Sequence, residues 1–350
     1  MLKPTSMTGA LEYPLGGPES GAVCGVAPGI YWLRLPLPFA LDHINVWLFE
    51  DGGEWALVDT GIGLADVQGI WLRLFETLLK GAPIGRVVLT HFHPDHMGLA
   101  AWLQRRFGAR VLITRREDEA ARRIYALSDP DAGAAIARHF HRHGLDAERV
   151  AALKERGNTY RPLVAGLPDT VDYMGENDRL RIGGRDWRII VGRGHAPEHA
   201  CLYCPSDGLL IAGDQILPRI SSNVSVRPEE PDGDPLAQYL ESLERLDRLP
   251  QETLVMPSHG RVFRGLHTRI GELIEHHEER LNRLRHELAA RGPLHAAGVL
   301  PLLFDRELDP HSLFFAMGEA IAHLQRLWHA GEASRQTRAD GVTRFGHADA

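Results

Sequence analysis

Three histidines and one aspartate lie within six consecutive residues, and this cluster limits what the chain can fold into more than any other feature. The four residues are His91, His93, Asp95 and His96. Alternate side chains of an extended segment share a face, so His91 and His93 point the same way. Asp95 and His96 follow where the chain turns. Imidazole nitrogens and carboxylate oxygens at short range are ligands for a cation such as zinc, so the cluster predicts a metal site.

The residues around the cluster predict its place in the fold. Residues 86–89, Arg-Val-Val-Leu, are typical of a buried strand, and residues 99–107 have a helical composition that ends at Gly108. Pro94 disfavours helical backbone at His93 and suits an early helical position itself. We therefore expect the cluster on a tight loop between the carboxyl end of a strand and a helix.

Composition and charge exclude several classes of protein. The chain has 350 residues, 44% of them hydrophobic and 24% charged, which is typical of a globular protein. A net charge of −7 gives no overall attraction to nucleic acid or an anionic membrane. No stretch of the sequence approaches the ~20 apolar residues of a membrane span.

Cysteine usage and the N-terminal segment bear on the cellular compartment. The three cysteines, Cys24, Cys201 and Cys204, cannot form a disulfide framework, which indicates a reducing compartment. Residues 1–20 lack the continuous apolar core of a secretory signal. We expect a cytoplasmic protein whose residues 1–29 form a loose arm.

Further along the chain, ligand-type side chains again follow apolar strands. His195 follows residues 189–191, Asp214 follows residues 211–212, and His259 follows residues 254–256, each after a short connection that includes a small residue. The carboxyl ends of strands meet at one rim of an α/β sheet, so these side chains are expected to converge with the cluster. Asp59, at the end of the strand 55–58, is interpreted as a carboxylate that orients a metal-bound histidine.

The combined set is larger than one tetrahedral ion needs. It contains five imidazoles and two carboxylates: His91, His93, Asp95, His96, His195, Asp214 and His259. This number suits two ions.

Two other groups look like metal sites but are interpreted as structural. In the run from His139 to His143 only its two end residues share a helical face, and no carboxylate joins them, so we expect a surface or cleft-lining helix. Cys201 and Cys204 are three residues apart in a predicted strand and face opposite sides, so they cannot chelate together.

Repeated hairpin patterns predict the fold class. The strands 44–49 and 55–58 flank the turn Asp51-Gly52-Gly53, and a second set of hairpins begins at Gly183-Gly184. Two similar halves, each a layer of strands backed by helices, predict an α/β sandwich.

The order of the motifs resembles that of the metallo-β-lactamase superfamily. The order is Asp-Thr-Gly, His-x-His-x-Asp-His, Gly-His, Gly-Asp and Ser-His-Gly, spanning residues 30–264. The resemblance implies a sandwich of four layers, αβ/βα, and two divalent ions, Zn²⁺ with Mn or Fe as alternatives. It implies one ion at His91, His93 and His195, the other at Asp95, His96 and His259, with Asp214 bridging them. Asp59 matches the family's supporting aspartate.

Finer details resemble particular branches of that family. A single bridging aspartate with histidines at both 91 and 93 resembles the glyoxalase II, lactonase and RNase branches rather than the periplasmic β-lactamases or the diiron flavoproteins. The segment after Gly265 resembles the C-terminal appendage of the β-lactamase-like protein 2 subgroup. One departure is the segment 194–199, Gly-His-Ala-Pro-Glu-His, where relatives more often have Thr-Pro-Gly-His. Glu198 therefore leaves open the shape of this loop and any role for His199.

The parts of the chain outside these motifs are expected to shape the substrate cleft. We expect a catalytic domain over residues 30–265, with a helical insertion at about 115–173 whose mixed charges indicate a solvated face. Residues 266–335 resemble a small winged-helix-like domain, which could form a lid, a cleft wall or a homodimer contact. Residues 336–350 are expected to be a mobile tail.

These observations predict a dinuclear metal-dependent hydrolase in which a hydroxide bridging the ions attacks an ester, thioester or lactone. Asp95 steers the nucleophile and Asp59 supports the ligands. The expected partner is a small acyl-type substrate; no membrane partner is expected, and the charge does not favour nucleic acid. The alternatives are a metal-dependent endoribonuclease or phosphodiesterase, a mononuclear iron persulfide dioxygenase, and a metal-stabilised binding module.

Overall fold

The chain folds into two compact units, each formed by several segments of the sequence. The structure is a computed structural model that describes residues 10–305 and 307–348, apart from the side chain of Pro310. Unit 1 contains residues 1–126, 159–222 and 243–270, and unit 2 contains residues 127–158, 223–242 and 271–350. The helical insertion predicted at about 115–173 is therefore divided between the two units. The predicted domain boundaries at 265 and 335 stay a prediction.

Two β-sheets form the centre of unit 1. The first has seven strands in sequence order: β1 Val23–Ala27, β2 Ile30–Pro36, β3 His43–Asp51, β4 Glu54–Val58, β5 Ile84–Val88, β6 Arg110–Thr114 and β7 Asp172–Met174. The second has the order β12-β11-β10-β9-β8: β8 Arg179–Ile182, β9 Arg185–Gly192, β10 His199–Cys204, β11 Leu209–Gly213 and β12 Leu254–Pro257.

The helices have the following bounds: α1 Ala65–Thr77, α2 Pro94–Met97, α3 Ala100–Phe107, α4 Arg115–Ala126, α5 Asp129–Arg142, α6 Ala147–Glu155, α7 Pro235–Leu246, α8 Leu266–Arg291, α9 Ala296–Leu303 and α10 Pro310–His329. In the described part of the chain, none of these helices combines the length and the apolar character that a membrane crossing needs.

Alternating side chains place the two sheets face to face in unit 1. Trp32 and Trp47 point into a core shared with Trp187 and Leu202 of the second sheet. Their neighbours Leu33 and Leu48 point the other way, into a core shared with helices α1 and α3. This period of two, with both faces buried, explains why the strands are apolar almost throughout. The layered α/β sandwich predicted from the sequence is confirmed.

The turn between β3 and β4 shows why the hairpin pattern was informative. Asp51 pairs with Glu54, so Gly52 and Gly53 form a two-residue loop. Their φ angles are 68° and 95°. Such a loop requires positive φ at both positions, which glycine adopts at little cost.

Two expectations at the chain ends are wrong for the described residues. Residues 23–27, assigned to the loose arm, form β1 and pair with β2. Residues 343–347, assigned to the mobile tail, form β14 (Thr343–His347), which pairs with β13 (Ala333–Thr337) in unit 2. Phe345 is fully buried and pairs with Leu294, which explains the order of this strand. Residues 1–9, 349 and 350 of the predicted arm and tail lie outside the described residues.

Candidate metal centre

The predicted site residues lie at strand ends in unit 1. Asp59 follows β4, His91 lies three residues after β5, His195 follows β9, Asp214 follows β11 and His259 lies just beyond β12. His93 is the residue before α2, and Asp95 and His96 lie within that short helix. Pro94 occupies the first helical position and His93 has extended backbone, as the sequence predicts.

The first group of potential ligands contains three imidazoles and one carboxylate. His91 Nε2 lies 2.9 Å from His93 Nδ1 and 3.3 Å from His195 Nε2. His195 Nε2 lies 3.4 Å from Asp214 Oδ2. All four ligand atoms are within 4.8 Å of one another. Zn–N bonds of ~2.0–2.1 Å in a tetrahedron place neighbouring ligand atoms ~3.3–3.4 Å apart, so this spacing fits one ion.

The second group contains Asp95, His96 and His259. The Nε2 atoms of both histidines lie 3.5 Å from Asp95 Oδ2. They also lie 3.5 Å (His96) and 3.3 Å (His259) from Asp214 Oδ1. Asp214 therefore presents one carboxylate oxygen to each group, the arrangement expected of a bridging residue.

Unsatisfied polar atoms show that the second group fits a cation. Within the described residues, His96 Nε2, His259 Nε2 and Asp214 Oδ1 are buried and have no hydrogen-bond partner. Buried polar atoms without a partner are uncommon, and these three lie together. Nitrogen and carboxylate donors suit a divalent ion of intermediate softness, so the residues present could hold one.

A buried aspartate fixes the orientation of one imidazole in each group. Asp59 Oδ2 accepts a hydrogen bond from His96 Nδ1 at 2.8 Å and another from Thr90 Oγ1, also at 2.8 Å. The only proton of the Thr90 hydroxyl is thereby used, so Thr90 Oγ1 accepts from His91 Nδ1 at 3.0 Å. Both Nδ1 atoms carry protons, which leaves both Nε2 lone pairs for a metal.

The third oriented imidazole depends on a residue that the sequence analysis missed. His259 Nδ1 donates to the backbone carbonyl of His43 at 2.7 Å, so Nε2 is the nitrogen that faces the other ligands and is left for a metal. His43 in turn accepts from the backbone N–H of Gly260 through Nε2, at 2.9 Å. No spacing in the sequence links these residues, because they are 216 positions apart and meet only in the folded chain.

Electrostatics distinguish the two groups. Burial lowers the pKa of His91 well below its ordinary value, and the neighbouring histidines lower it further. For His96, burial lowers the pKa, but Asp95, Asp214 and Asp59 outweigh this and raise it well above the ordinary value. The second group therefore favours positive charge, which either protons or a cation can supply.

His199 lies directly behind the shared carboxylate. Its Nε2 accepts the backbone N–H of Asp214 at 3.0 Å, and the side chain is fully buried. Burial lowers the pKa of His199 to about 3, so the ring is neutral and able to accept. The sequence analysis left the role of His199 open; in the structure it supports Asp214.

Two glycines of the motifs are required by close approach. A Cβ on Gly213, whose φ is +53°, would lie 2.3 Å from the His199 ring. A Cβ on Gly98 would lie 2.3 Å from the carbonyl oxygen of Pro94 and 2.4 Å from the nitrogen of Gly63. A side chain at Gly98 would displace neighbouring backbone, and one at Gly213 would displace the His199 ring that supports Asp214.

The histidine-rich run in unit 2 does not form a surface. His139 and His143 are buried, and burial lowers their pKa values to about 4 and about 3. His139 Nε2 bonds the carbonyl of Val226 at 3.2 Å. The surface expectation is wrong for these two residues and holds for exposed His141. The cleft-lining alternative fits them, because both line a small cavity together with Arg142 and Arg335.

Unit 2 also contains a buried cluster of His277, Glu319 and His323 with ligand-type spacing. His323 Nδ1 donates to the carbonyl of Glu319 at 2.8 Å, and its Nε2 lies 3.2 Å from His277 Nδ1. Arg280 pairs with the Glu319 carboxylate. Because that pairing already neutralises the carboxylate, we interpret the cluster as a hydrogen-bonded network of the interior.

Similarity to known proteins agrees with this geometry. The profile of the metallo-beta-lactamase superfamily matches residues 40–259, and that of the metallo-beta-lactamase-like C-terminal domain matches residues 281–348. A beta-lactamase domain protein from Burkholderia ambifaria is 45% identical, with a TM-score of 0.90 over 97% of this chain and 98% of its own. A metallo-beta-lactamase family protein from Thermus thermophilus is 31% identical, with a TM-score of 0.75 over 92% of this chain and 100% of its own.

Curated relatives include proteins named as hydrolases. The probable metallo-hydrolase YqjP of Bacillus subtilis is 26% identical over 84% of this chain and 91% of its own length. An atrochrysone carboxyl ACP thioesterase of Aspergillus fumigatus is 24% identical over 66% of this chain and 41% of its own length. The chain belongs to the metallo-beta-lactamase superfamily and is a metal-dependent hydrolase of that superfamily.

Proposed function

We propose that this chain is a dinuclear zinc hydrolase that cleaves an ester, thioester or lactone. The observation that carries the proposal is the convergence of two ligand groups on the two oxygens of Asp214. His91, His93 and His195 would hold one ion, and Asp95, His96 and His259 the other. When bound, two divalent ions lower the pKa of a shared water and polarise the acyl oxygen of a substrate.

The side chains of the chain itself provide orientation and proton handling. The side chain of Asp95 is 19% exposed, against 10% for Asp214 and 1% for Asp59. Asp95 is therefore the carboxylate that an incoming water or substrate reaches, and it can accept the proton that the nucleophile loses. Asp59 contacts no solvent and acts by holding His96 and, through Thr90, His91.

The ligand set and the relatives support the proposed substrate class and branch of the family. Imidazole-rich donors favour zinc over magnesium or calcium. The single bridging aspartate supports the β-lactamase-like protein 2 and glyoxalase II branches. The relative named as an acyl carrier thioesterase supports thioesters as the first substrates to test. Three free cysteines, two of them buried, support a cytoplasmic location. The proposed partner is a small acyl-type substrate.

The proposal is tested by metal analysis together with a substrate panel. Purified protein is loaded with Zn²⁺, Mn²⁺ or Fe²⁺, its metal content is measured, and it is assayed on thioesters, esters, lactones and phosphodiesters. We expect two zinc ions per chain and acyl hydrolysis. Asp214→Ala is expected to abolish hydrolysis while circular dichroism stays unchanged, and Asp186→Ala, which removes an exposed carboxylate on β9, is expected to behave like the wild type.

Each competing outcome has a distinct meaning. Cleavage of phosphodiesters or single-stranded RNA in preference to acyl substrates would make the nuclease alternative correct. Activity with one iron ion and consumption of oxygen would make the persulfide dioxygenase alternative correct. Near-normal turnover by Asp214→Ala would exclude the bridging role, whichever substrate is cleaved.

A further inference from the structure

Glu117 is a fully buried carboxylate that the proposed reaction does not use. It lies in the first turn of α4, directly after β6. A glutamate in the first turn of a helix ordinarily faces solvent and complements the helix dipole. A carboxylate with no solvent exposure is costly unless both of its oxygens are hydrogen-bonded.

Both oxygens of Glu117 bond backbone groups of the loops that carry the first ligand group. Oε2 accepts from the N–H of Phe92 at 3.0 Å, and Oε1 accepts from the N–H of Glu198 at 2.5 Å. Phe92 lies between His91 and His93, and Glu198 lies three residues after His195. The carboxylate of Glu117 therefore joins the loop that carries His91 and His93 to the loop that carries His195.

Glu198, where the segment 194–199 departs from the family pattern, makes further contacts at this junction. The carbonyl of Glu198 accepts from Thr114 Oγ1 at 2.7 Å, and Glu198 Oε2 accepts from the backbone N–H of Arg116 at 3.3 Å. Arg193 pairs with Glu198 Oε1 at 3.4 Å. Both the backbone and the side chain of Glu198 are thus hydrogen-bonded to residues in the first turn of α4. A glycine at position 198 could not make the side-chain contacts.

The second ligand group is held by other contacts. His96 bonds Asp59, and His259 bonds the carbonyl of His43. Neither of these contacts passes through Glu117. The two loops of the first group are also joined at their base, where the N–H of Ala200 donates to Thr90 at 2.8 Å, so Glu117 determines the spacing of their tips.

We propose that Glu117 is a positioning residue that sets the separation between His195 and the pair His91 and His93, and thereby the metal affinity of the three-histidine group alone. This inference rests on the proposed dinuclear site. Because a carboxylate accepts two N–H groups where an amide accepts one, the charge and both acceptors of Glu117 are required.

The test uses variants that change one acceptor at a time. Glu117→Gln keeps the size of the side chain but turns an NH₂ group toward one of the two N–H donors. Glu119→Gln, on the exposed face of the same helix, makes the same charge change and is the matched control. Thr114→Val removes only the hydroxyl contact to Glu198 and serves as a second, milder variant if Glu117→Gln does not fold.

Zinc affinities are measured by chelator competition on folded, metal-free protein. We expect two ions per wild-type chain. Glu117→Gln is expected to lower the affinity for one of the two zinc ions by ~10- to 100-fold, the usual effect of losing a group that orients ligands. Thr114→Val is expected to lower the affinity for the same ion by less. Glu119→Gln is expected to match the wild type. Adding Glu117→Gln to His195→Gln should cause little further loss, whereas adding it to His259→Gln should weaken the remaining ion.

The outcomes separate this inference from the proposed function. A wild-type chain that binds no zinc would overturn the dinuclear site itself. Two ions in the wild type, with unchanged affinities in both Glu117→Gln and Thr114→Val, would overturn the role of Glu117 only. Equal weakening of both ions would also overturn it, because the effect would then belong to the whole fold.

Discussion

His199 accepts a hydrogen bond from the backbone N–H of Asp214 at 3.0 Å through its Nε2. This contact helps to hold Asp214 in place, whose two carboxylate oxygens lie next to the two ligand groups. Replacing His199 by leucine leaves a buried N–H without an acceptor, which costs about 1–3 kcal/mol. We expect His199→Leu to lower the free energy of unfolding by that amount, measured by urea denaturation, and to lower turnover.

The control for this prediction is His141→Leu, which removes an exposed histidine. It should change neither quantity. An unaltered turnover in folded His199→Leu would show that the position of the Asp214 carboxylate does not depend on the His199 imidazole.

Asp59 combines an unusual backbone with a charge, and two substitutions separate these properties. Its φ is 62°, a left-handed conformation that asparagine tolerates and alanine does not. Asp59→Asn should keep the backbone while losing the charge that holds His96 and Thr90. We expect zinc affinity to fall ~10- to 100-fold with little change in melting temperature.

Asp59→Ala should show the same loss of affinity together with a lower melting temperature, because the left-handed backbone costs about 1–2 kcal/mol without a local polar side chain. Melting curves of the metal-free variants distinguish the two effects. Equal zinc affinity in Asp59→Asn and wild type would contradict the orienting role.

The buried network of unit 2 predicts a dependence of stability on pH. Burial lowers the pKa of His277 to about 2 and that of His323 to about 3, from an ordinary value of 6.5. Below pH ~6.5 the unfolded chain takes up protons on these imidazoles and the folded chain does not, so stability falls as the pH decreases toward the folded-state values. Each imidazole contributes a slope of ~1.4 kcal/mol per pH unit in this range.

Denaturation of metal-free protein at several pH values checks this slope. His277→Gln should reduce it by the contribution of one proton, and exposed His286→Gln should leave it unchanged. An identical slope in His277→Gln and wild type would mean that this imidazole is protonated in the folded chain.

Metal removal should destabilise unit 1 selectively. The second ligand group places Asp95 Oδ2 and Asp214 Oδ1 next to the same two imidazoles, and a bound cation favours this arrangement. An ion at 100 times its dissociation constant stabilises the folded state by about 2.7 kcal/mol. We expect a chelator to lower the melting temperature and zinc to restore it, and we expect a smaller response to zinc in His96→Ala/His259→Ala, which keeps only the first ligand group.

Hydrogen exchange would show where this stabilisation acts. Protection should be lost at Thr90 and Asp214, at the strand ends of unit 1, and should be retained in α10. Uniform loss of protection in both units would contradict a local effect.

The potential metal ligands could be predicted from the sequence because each follows an apolar strand. A strand end fixes the position of a side chain along the sheet, so His195 and Asp214 can be placed on the same rim without knowledge of the fold. Glycine pairs such as Gly52 and Gly53 define turns for similarly local reasons. These signals depend on residues close together in the chain.

The supporting residues could not be predicted because their contacts are tertiary. Thr90 and His43 lie next to the predicted strands 86–89 and 44–49, and Glu117 lies within the predicted helical insertion, so no local pattern distinguishes them. Their roles depend on partners 31 or more residues away: Asp59, His259 and Glu198. The misplacement of residues 343–347 has the same origin, since the burial of Phe345 depends on Leu294.

The two crowded glycines limit how this centre can be altered. Gly98 and Gly213 are not among the potential ligands, yet the space of a single methyl group at each is already occupied by backbone or by His199. A mutagenesis library selected for any new activity should therefore retain glycine at both positions as strictly as it retains the histidines. New specificities would have to arise from residues farther from the rim.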